Sequence, residues 1–165
     1  MINPKKLKLP KLPGILLAIL ILIVGFCSGT YYSTQKQSTL ITKATVTRVI
    51  DGDNLELDNG QSIRLYGVGC PEKNQKFSKE AIDLSTKLAL NKQITIDYQP
   101  NYSKDKWNRL LGYVFIDGTF LNEELIRRGY CEVTIYSKRA KLKYQDELIE
   151  AQNQAKQEKL GRWSN

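Results

Sequence analysis

The residues best suited to chemistry in this chain are two arginines, a glutamate and an acidic turn. Arg64 lies in an apolar, strand-like segment that ends in a Gly- and Pro-containing turn carrying Glu72. The acidic turn Asp51-Gly52-Asp53 precedes that segment, and Arg109 ends the polar segment Asp105-Lys106-Trp107-Asn108-Arg109. Two guanidinium groups, a carboxylate that could hold a metal and another that could act as a base are what phosphodiester hydrolysis requires.

Size and composition narrow the class of protein that carries these residues. The chain has 165 residues, of which 41% are hydrophobic, so it can bury one ordinary core and is expected to form one globular domain. The formal net charge of +8 favours an anionic partner such as nucleic acid or a membrane surface. The chain has no histidine, which excludes imidazole bases and His-ligated metals.

The first 32 residues have the pattern of a signal peptide or a membrane anchor. Four lysines within the first eleven residues precede an apolar run at residues 15–27, and residues 14–32 carry no charge. The apolar run is short for a membrane span, so cleavage and anchoring both remain open. Either outcome places the domain outside the cytoplasm, membrane-anchored or secreted. Intact full-length protein in the soluble cytoplasmic fraction would contradict this placement.

The segment after the apolar run predicts a linker followed by a β-rich domain. Residues 33–42 are polar and aperiodic, so we expect the domain to span residues 43–165. Asn59-Gly60 predicts a two-residue type I′ turn between the second and third strands. Alternating and β-branched residues predict strands at residues 44–50, 54–58, 61–66, 93–98 and 110–116.

Three helices are predicted between and after these strands. One covers residues 78–90 with Ser78 as its cap, and a short one covers residues 122–128 with Asn122 as N-cap and Gly129 as its stop. A long charged helix is expected over residues 140–160, ended by Gly161, while residues 130–136 are ambiguous but favour a strand. Five short strands with a helix after the third fit a small closed Greek-key barrel (class α+β) better than a sandwich.

Five motifs in this order resemble the staphylococcal nuclease-like (thermonuclease) domain, over roughly residues 43–164. The resemblance implies a five-stranded OB-fold barrel with three helices and a nuclease that hydrolyses phosphodiester bonds of DNA or RNA. Nucleic acid would then be the substrate. The pattern of the N-terminal segment separately predicts contact with the membrane, and no protein partner is inferred. The motifs are Val49-Ile50-Asp51-Gly52-Asp53, residues 64–72, residues 105–109, residues 121–129 and residues 155–163.

The resemblance also implies a role for each polar residue of these motifs. Glu72 matches the general base that activates water. Arg64 and Arg109 match the two arginines that hold the scissile phosphate and stabilise its developing charge. Trp107 stands where an aromatic ring could stack on a base, and Lys106 could contact backbone phosphates.

The same resemblance implies a Ca²⁺ site with one ligand missing. Asp53 and the backbone carbonyl of Cys70 match oxygen ligands of Ca²⁺, and Asp51 would lie outside the immediate coordination sphere. Gly69 stands where the family has a second metal carboxylate, so Ca²⁺ binding should be weak. Asn54 and Asn108 replace a usual threonine and glycine. The alternative is therefore a silent module of the same fold that binds nucleic acid or protein.

Two cysteines remain once Cys27 of the N-terminal segment is set aside. Cys70 and Cys131 are an even number in a chain expected to reach an oxidising space. The resemblance brings the segments that carry them close together, so the two cysteines could pair as a disulfide. Two small buried thiols are the alternative.

Overall fold

The structure, a computed structural model, describes residues 40–136 and 140–164. The predicted signal or anchor segment, and the predicted linker apart from residues 40–42, lie outside these residues. No helix in the described residues is long and apolar enough to cross a bilayer. The elements are β1 (Lys43–Asp51), β2 (Asn54–Leu57), β3 (Ser62–Leu65), β4 (Val68–Gly69), α1 (Ser78–Ala89), β5 (Gln93–Asp97), β6 (Leu110–Ile116), β7 (Thr119–Phe120), α2 (Leu121–Arg127), β8 (Glu132–Val133), α3 (Gln145–Gln157) and a 3₁₀ turn at Gly161–Trp163.

Five of the strands form a closed barrel, which confirms the predicted OB-fold class. The meander β1-β2-β3 is antiparallel, β1 also pairs with β5, and β5 pairs with β6. A parallel pairing of β3 with β6 closes the barrel. The alternating residues of these strands point inward and are almost fully buried, among them Val46, Leu55, Leu57, Ile63 and Leu65. Burying this apolar surface is the main driving force for closure.

The hairpin between β2 and β3 is where predicted, but its turn is not type I′. The amide of Gly60 donates to the carbonyl of Leu57 at 2.9 Å, and the amide of Leu57 donates to the carbonyl of Gln61 at 2.9 Å. Gly60 has a positive φ, whereas Asp58 and Asn59 do not. This is a three-residue loop of a type I turn followed by a glycine bulge, because only one residue adopts the left-handed conformation.

Helix α1 lies across the acidic turn, and Ser78 does not cap it as predicted. Phe77 precedes the helix in a left-handed conformation, and no side chain caps the N-terminus. The buried face of α1 includes Ala81 and Ser85, and the Ser85 hydroxyl donates to the carbonyl of Gly52 at 2.6 Å. The helix therefore fixes the acidic turn from its inner side.

Asn122, predicted as the N-cap of α2, instead lies in the core. It is fully buried inside the first turn, and Phe120 is the residue that precedes the helix. Its Oδ1 accepts from the amide of Val114 at 3.0 Å, and its Nδ2 donates to the carbonyl of Tyr66 at 3.0 Å. The side chain satisfies backbone groups that the barrel leaves unpaired, and this need outweighs its capping preference.

The C-terminal region differs from its prediction in the length of its elements. Helix α3 covers only Gln145–Gln157, and β8 has two residues rather than the predicted seven. Residues 141–143 are not helical and instead bind the side chain of Gln99, whose Oε1 accepts a hydrogen bond from the amide of Lys143 at 2.8 Å. Gly129, correctly predicted to follow α2, has a φ of +67°, and a Cβ there would lie 2.2 Å from the Leu160 carbonyl oxygen. Only glycine allows the ends of α2 and α3 to pack this closely.

Candidate active site

The acidic turn between β1 and β2 packs directly against Ala81 of helix α1 and against Cys70. A Cβ on Gly52 would lie 2.6 Å from the Cβ of Ala81 and 3.0 Å from the Sγ of Cys70. Glycine at this position therefore lets the turn sit directly on helix α1. Asp51 and Asp53, on either side of it, line a common cleft.

Asp53 connects three parts of the site. It is only 3% exposed, and its Oδ2 accepts a hydrogen bond of 2.7 Å from the amide of Cys70. Its Oδ1 forms an ion pair with Arg64. Arg64 also donates through Nη2 to the carbonyl of Val68 at 3.2 Å. A buried carboxylate needs such partners, and together they fix the direction of the Arg64 guanidinium.

Closure of the barrel brings the two arginines together. Arg64 in β3 lies opposite Leu111 in β6, and Arg109 immediately precedes β6. Burial, followed by the positive charge of Arg109, lowers the pKa of Arg64, while the charges of Asp51 and Glu72 oppose this shift. A guanidinium nevertheless stays charged in proteins. The cleft therefore holds two adjacent cations, an arrangement that suits an anionic ligand.

The segment before β6 is a turn built around Asp105. Its carboxylate accepts from the amides of Trp107 and Arg109 at 2.9 and 3.0 Å, and from the Arg109 Nε at 2.7 Å. Partial burial opposes ionisation of Asp105, but these hydrogen bonds outweigh it and lower the pKa of the carboxyl group. Asn108 adopts a φ of +65°, which explains why a residue tolerant of the left-handed conformation occupies the position of a usual glycine.

The residues predicted from the sequence meet in a cleft of about 560 Å³. Seven of them line it, and Lys106 is the exception. Pro71 and Tyr136 also line the cleft and were not predicted. Tyr136 belongs to a segment without clear periodicity, and a lone tyrosine there gives too weak a signal to identify it. The lining residues are Asp51, Asp53, Arg64, Cys70, Pro71, Glu72, Trp107, Arg109 and Tyr136.

Trp107 forms an exposed aromatic edge of this cleft. The residue is 66% exposed, an unusual state for a tryptophan. The Lys106 Nζ lies 4.3 Å from the ring centroid, and the Arg109 Cζ lies 5.0 Å from it. Lys106 therefore lies against the ring outside the cleft, and the exposed ring has two cations beside it.

Cys70 and Cys131 form a disulfide, which resolves the two alternatives left by the sequence. The pairing of β4 with β8 brings the two cysteines together, because Gly69 lies opposite Glu132. Cys70 lines the cleft, and its amide holds Asp53. The bond thus connects the cleft to the segment after α2.

Gly69 lies beside the cleft rather than in it. A Cβ on Gly69 would lie 2.5 Å from the Oγ1 of Thr134, so any other residue here would require Thr134 to move. The φ of Gly69 lies outside the left-handed region. Gly69 thus supplies no carboxylate where the resemblance puts a second metal ligand, although the side chain of Glu132 lies nearby, with its Cγ 3.9 Å from that Cβ position.

The oxygen atoms around the acidic turn fit Ca²⁺ in type but not in number. Asp51, Asp53 and Glu72 supply carboxylates to the cleft, and carboxylates are the hard donors that Ca²⁺ prefers. Asn54, cross-strand from Asp51 and Arg64, has a buried Oδ1 without a hydrogen-bond donor in the described structure. Within residues 40–136 and 140–164, however, no three His, Cys, Asp or Glu side chains are gathered so that they could hold an ion.

Comparison with known proteins agrees with this geometry. The family described as staphylococcal nuclease homologue matches residues 62–165. The chain is 32% identical to a thermonuclease of Staphylococcus hyicus over 159 residues, which cover 90% of this chain and 92% of that protein. The chain belongs to the staphylococcal nuclease homologue family.

Two other relatives of this staphylococcal nuclease homologue are endonucleases by name. An "uncharacterized endonuclease" of Escherichia coli O157:H7 is 32% identical over 126 residues, which cover 73% of this chain and 76% of that protein. An SPbeta prophage-derived endonuclease of Bacillus subtilis is 28% identical over 129 residues, which cover 73% of this chain and 43% of that protein. These relatives support a nuclease function.

Proposed function

We propose that the chain hydrolyses phosphodiester bonds of DNA or RNA in the cleft, with Glu72 as general base and Arg64 and Arg109 as phosphate ligands. The observation that carries the proposal is that these three residues, distant in sequence, line one cleft with the acidic turn. A base, two fixed cations and the carboxylates of the acidic turn form a site for attack of water on a phosphodiester.

Glu72 is the group placed to activate the attacking water. Glu72 is exposed and lines the cleft. Its backbone is fixed because its amide donates a hydrogen bond of 3.0 Å to Oε1 of Gln75. An ionised carboxylate accepts the proton of the water as the oxygen approaches phosphorus. The proton then leaves the site through solvent or passes to the departing oxygen.

The two arginines act on the charge that develops during the attack. Negative charge on the nonbridging oxygens grows as the fifth bond to phosphorus forms, so a fixed guanidinium gains more in the transition state than in the ground state. Asp53 orients Arg64, and Asp105 orients Arg109. Each arginine is thus held by its own carboxylate before the substrate arrives.

We assign substrate binding beyond the scissile phosphate to Trp107 and Lys106. The exposed indole offers a face on which a base can stack, and such stacking tolerates any sequence. The Lys106 ammonium lies beside that face and adds a contact for a backbone phosphate. We therefore propose hydrolysis with little sequence preference.

We also propose that Ca²⁺ binds weakly beside the arginines. Asp53 and the Cys70 carbonyl would hold the ion, with Asp51 outside the immediate coordination sphere. The ion would supply positive charge to the phosphate. Its affinity should be low because Gly69 contributes no carboxylate and Asp53 already pairs with Arg64.

Assay of the purified full chain on DNA and RNA, with Ca²⁺ or with a chelator, tests the function. Hydrolysis that the chelator abolishes supports both the nuclease and its metal. Hydrolysis unaffected by the chelator supports the nuclease without Ca²⁺.

A catalytically silent binding module is the second candidate, and the missing carboxylate at Gly69 is what favours it. Such a module would bind nucleic acid or protein through the same barrel. Binding of DNA or RNA without hydrolysis under every metal condition would establish it. We prefer the nuclease because Arg64, Glu72 and Arg109 meet in the cleft, and a module that only binds has no need of the glutamate.

Replacing Arg109 with lysine should lower turnover by at least about tenfold, equivalent to about 1.4 kcal/mol of transition-state stabilisation. Lysine keeps the charge but cannot donate two parallel hydrogen bonds to phosphate. Steady-state kinetics measure the effect, with a thermal melt to check folding. Arg48→Lys is the control, because Arg48 is an exposed arginine paired with Glu56 outside the cleft. Turnover equal to that of the control would show that Arg109 is structural.

Introducing aspartate at Gly69 should lower the Ca²⁺ concentration needed for half-maximal activity, because it adds an anionic ligand. The aspartate Cβ would meet Thr134, so Gly69→Asp is best combined with Thr134→Ala. Thr134→Ala alone is the control. Activity and calorimetry, each titrated with Ca²⁺, measure the change. A folded double variant with the Ca²⁺ dependence of its control would mean that position 69 does not face a metal.

A further inference from the structure

A second groove adjoins the cleft. It has a volume of about 510 Å³ and shares the lining residues Cys70 and Pro71 with the cleft, so the two adjoin each other. Its other side chains include Lys76, Phe77 and Arg162. The mechanism proposed for the cleft uses none of these three residues.

Phe77, which lines this groove, has an unfavourable backbone conformation. Its φ is +70°, a region that bulky residues rarely occupy and that costs free energy. The ring is partly exposed and stacks on Tyr130, with centroids 6.4 Å apart and an interplanar angle of 20°. The Lys76 Nζ lies 5.0 Å from the ring centroid. An aromatic ring and a cation thus lie together at the surface of the groove.

The charges of the groove favour an anion. No described carboxylate forms an ion pair with Lys76. Arg162 lies 3.4 Å from Glu132, with side-chain exposures of 31% and 47%. Ion pairs that are this exposed contribute little in water, so Arg162 can exchange Glu132 for a phosphate at small cost. Two cations against one carboxylate leave the groove positive.

We infer that this groove binds the nucleotides flanking the scissile phosphate of a single-stranded DNA or RNA, with a base stacked on Phe77 and phosphates beside Lys76 and Arg162. The inference rests on the proposed nuclease function. An aromatic ring beside cations is what binds single strands without sequence preference. Because the groove and the cleft share Cys70 and Pro71, a strand bound in the cleft beside Trp107 can extend to Phe77.

Two substrates of different length separate the groove from the cleft. A strand of about twelve nucleotides can occupy both, whereas a dinucleotide can occupy only the cleft. In the full-length chain, Phe77→Leu should lower kcat/KM on the long strand by about fivefold or more, because the stacking face is lost. Lys76→Ala should weaken binding of the long strand and reduce the slope of its salt dependence by about one. Neither variant should change kcat/KM on the dinucleotide.

The control is Lys87→Ala, which removes the same charge from the far end of α1. Losses on both substrates, or on neither, would overturn the inference. If Phe77→Leu lowers the melting temperature, the test rests on the comparison of Lys76→Ala with its control Lys87→Ala alone. Failure of the nuclease function is distinguishable, since the wild type would then cleave neither substrate. Fluorescence anisotropy with a phosphorothioate strand would still test the groove, and unchanged affinity in both variants would overturn it.

Discussion

The substitution Glu72→Gln is expected to lower turnover by about 10²–10⁴-fold while leaving the melting temperature unchanged. Glutamine keeps the shape of glutamate but cannot accept the proton of the attacking water. Glu72 lies exposed at the cleft, and within the described residues its carboxylate forms no ion pair, so the fold does not depend on its charge. Single-turnover hydrolysis with excess enzyme measures the chemical step directly.

Glu80→Gln provides the control for this substitution. Glu80 is also exposed and lies in the first turn of α1, away from the cleft residues, and the substitution removes the same charge. Its turnover should equal that of the wild type. A Glu72→Gln enzyme as active as this control would remove Glu72 from the mechanism and leave the arginines without an identified base.

Replacing both Cys70 and Cys131 with alanine should lower the free energy of unfolding by about 4 kcal/mol, which is the chain-entropy value for a disulfide closing a loop of 61 residues. Urea denaturation measures the change from the shift in midpoint. Wild-type chain unfolded in the presence of a thiol reductant should show a similar loss. An unchanged midpoint in both experiments would mean that the thiols are not paired in solution.

Much of the barrel could be predicted because its strands depend on local patterns. Alternating β-branched residues identify all five barrel strands to within about one residue of their ends. The errors arise where tertiary contacts override local preference. Asn122 has a strong capping preference, yet unpaired backbone groups in the core take its side chain. Helix α3 begins late because Gln99, distant in sequence, binds residues 141–143.

The candidate site was predictable residue by residue but not as an arrangement. The motifs identify Arg64, Glu72 and Arg109, and the structure brings them into one cleft. The ion pair between Asp53 and Arg64 could not be foreseen, because either residue has several partners in the motif. The contact between Gly69 and Thr134 could not be predicted either, because β4 and β8 are too short for the sequence to indicate that they pair.

The parallel pairing of β3 with β6 has a consequence for the synthesis of this protein. Arg64 and Arg109 meet only when that pairing forms, and it requires α1, β5 and β6 to have been made first. Pairings between distant segments form late because the intervening chain must first lose its freedom. A nascent chain on the ribosome therefore has one arginine in place and no complete cleft. The proposed phosphate site is therefore complete only after the barrel has closed.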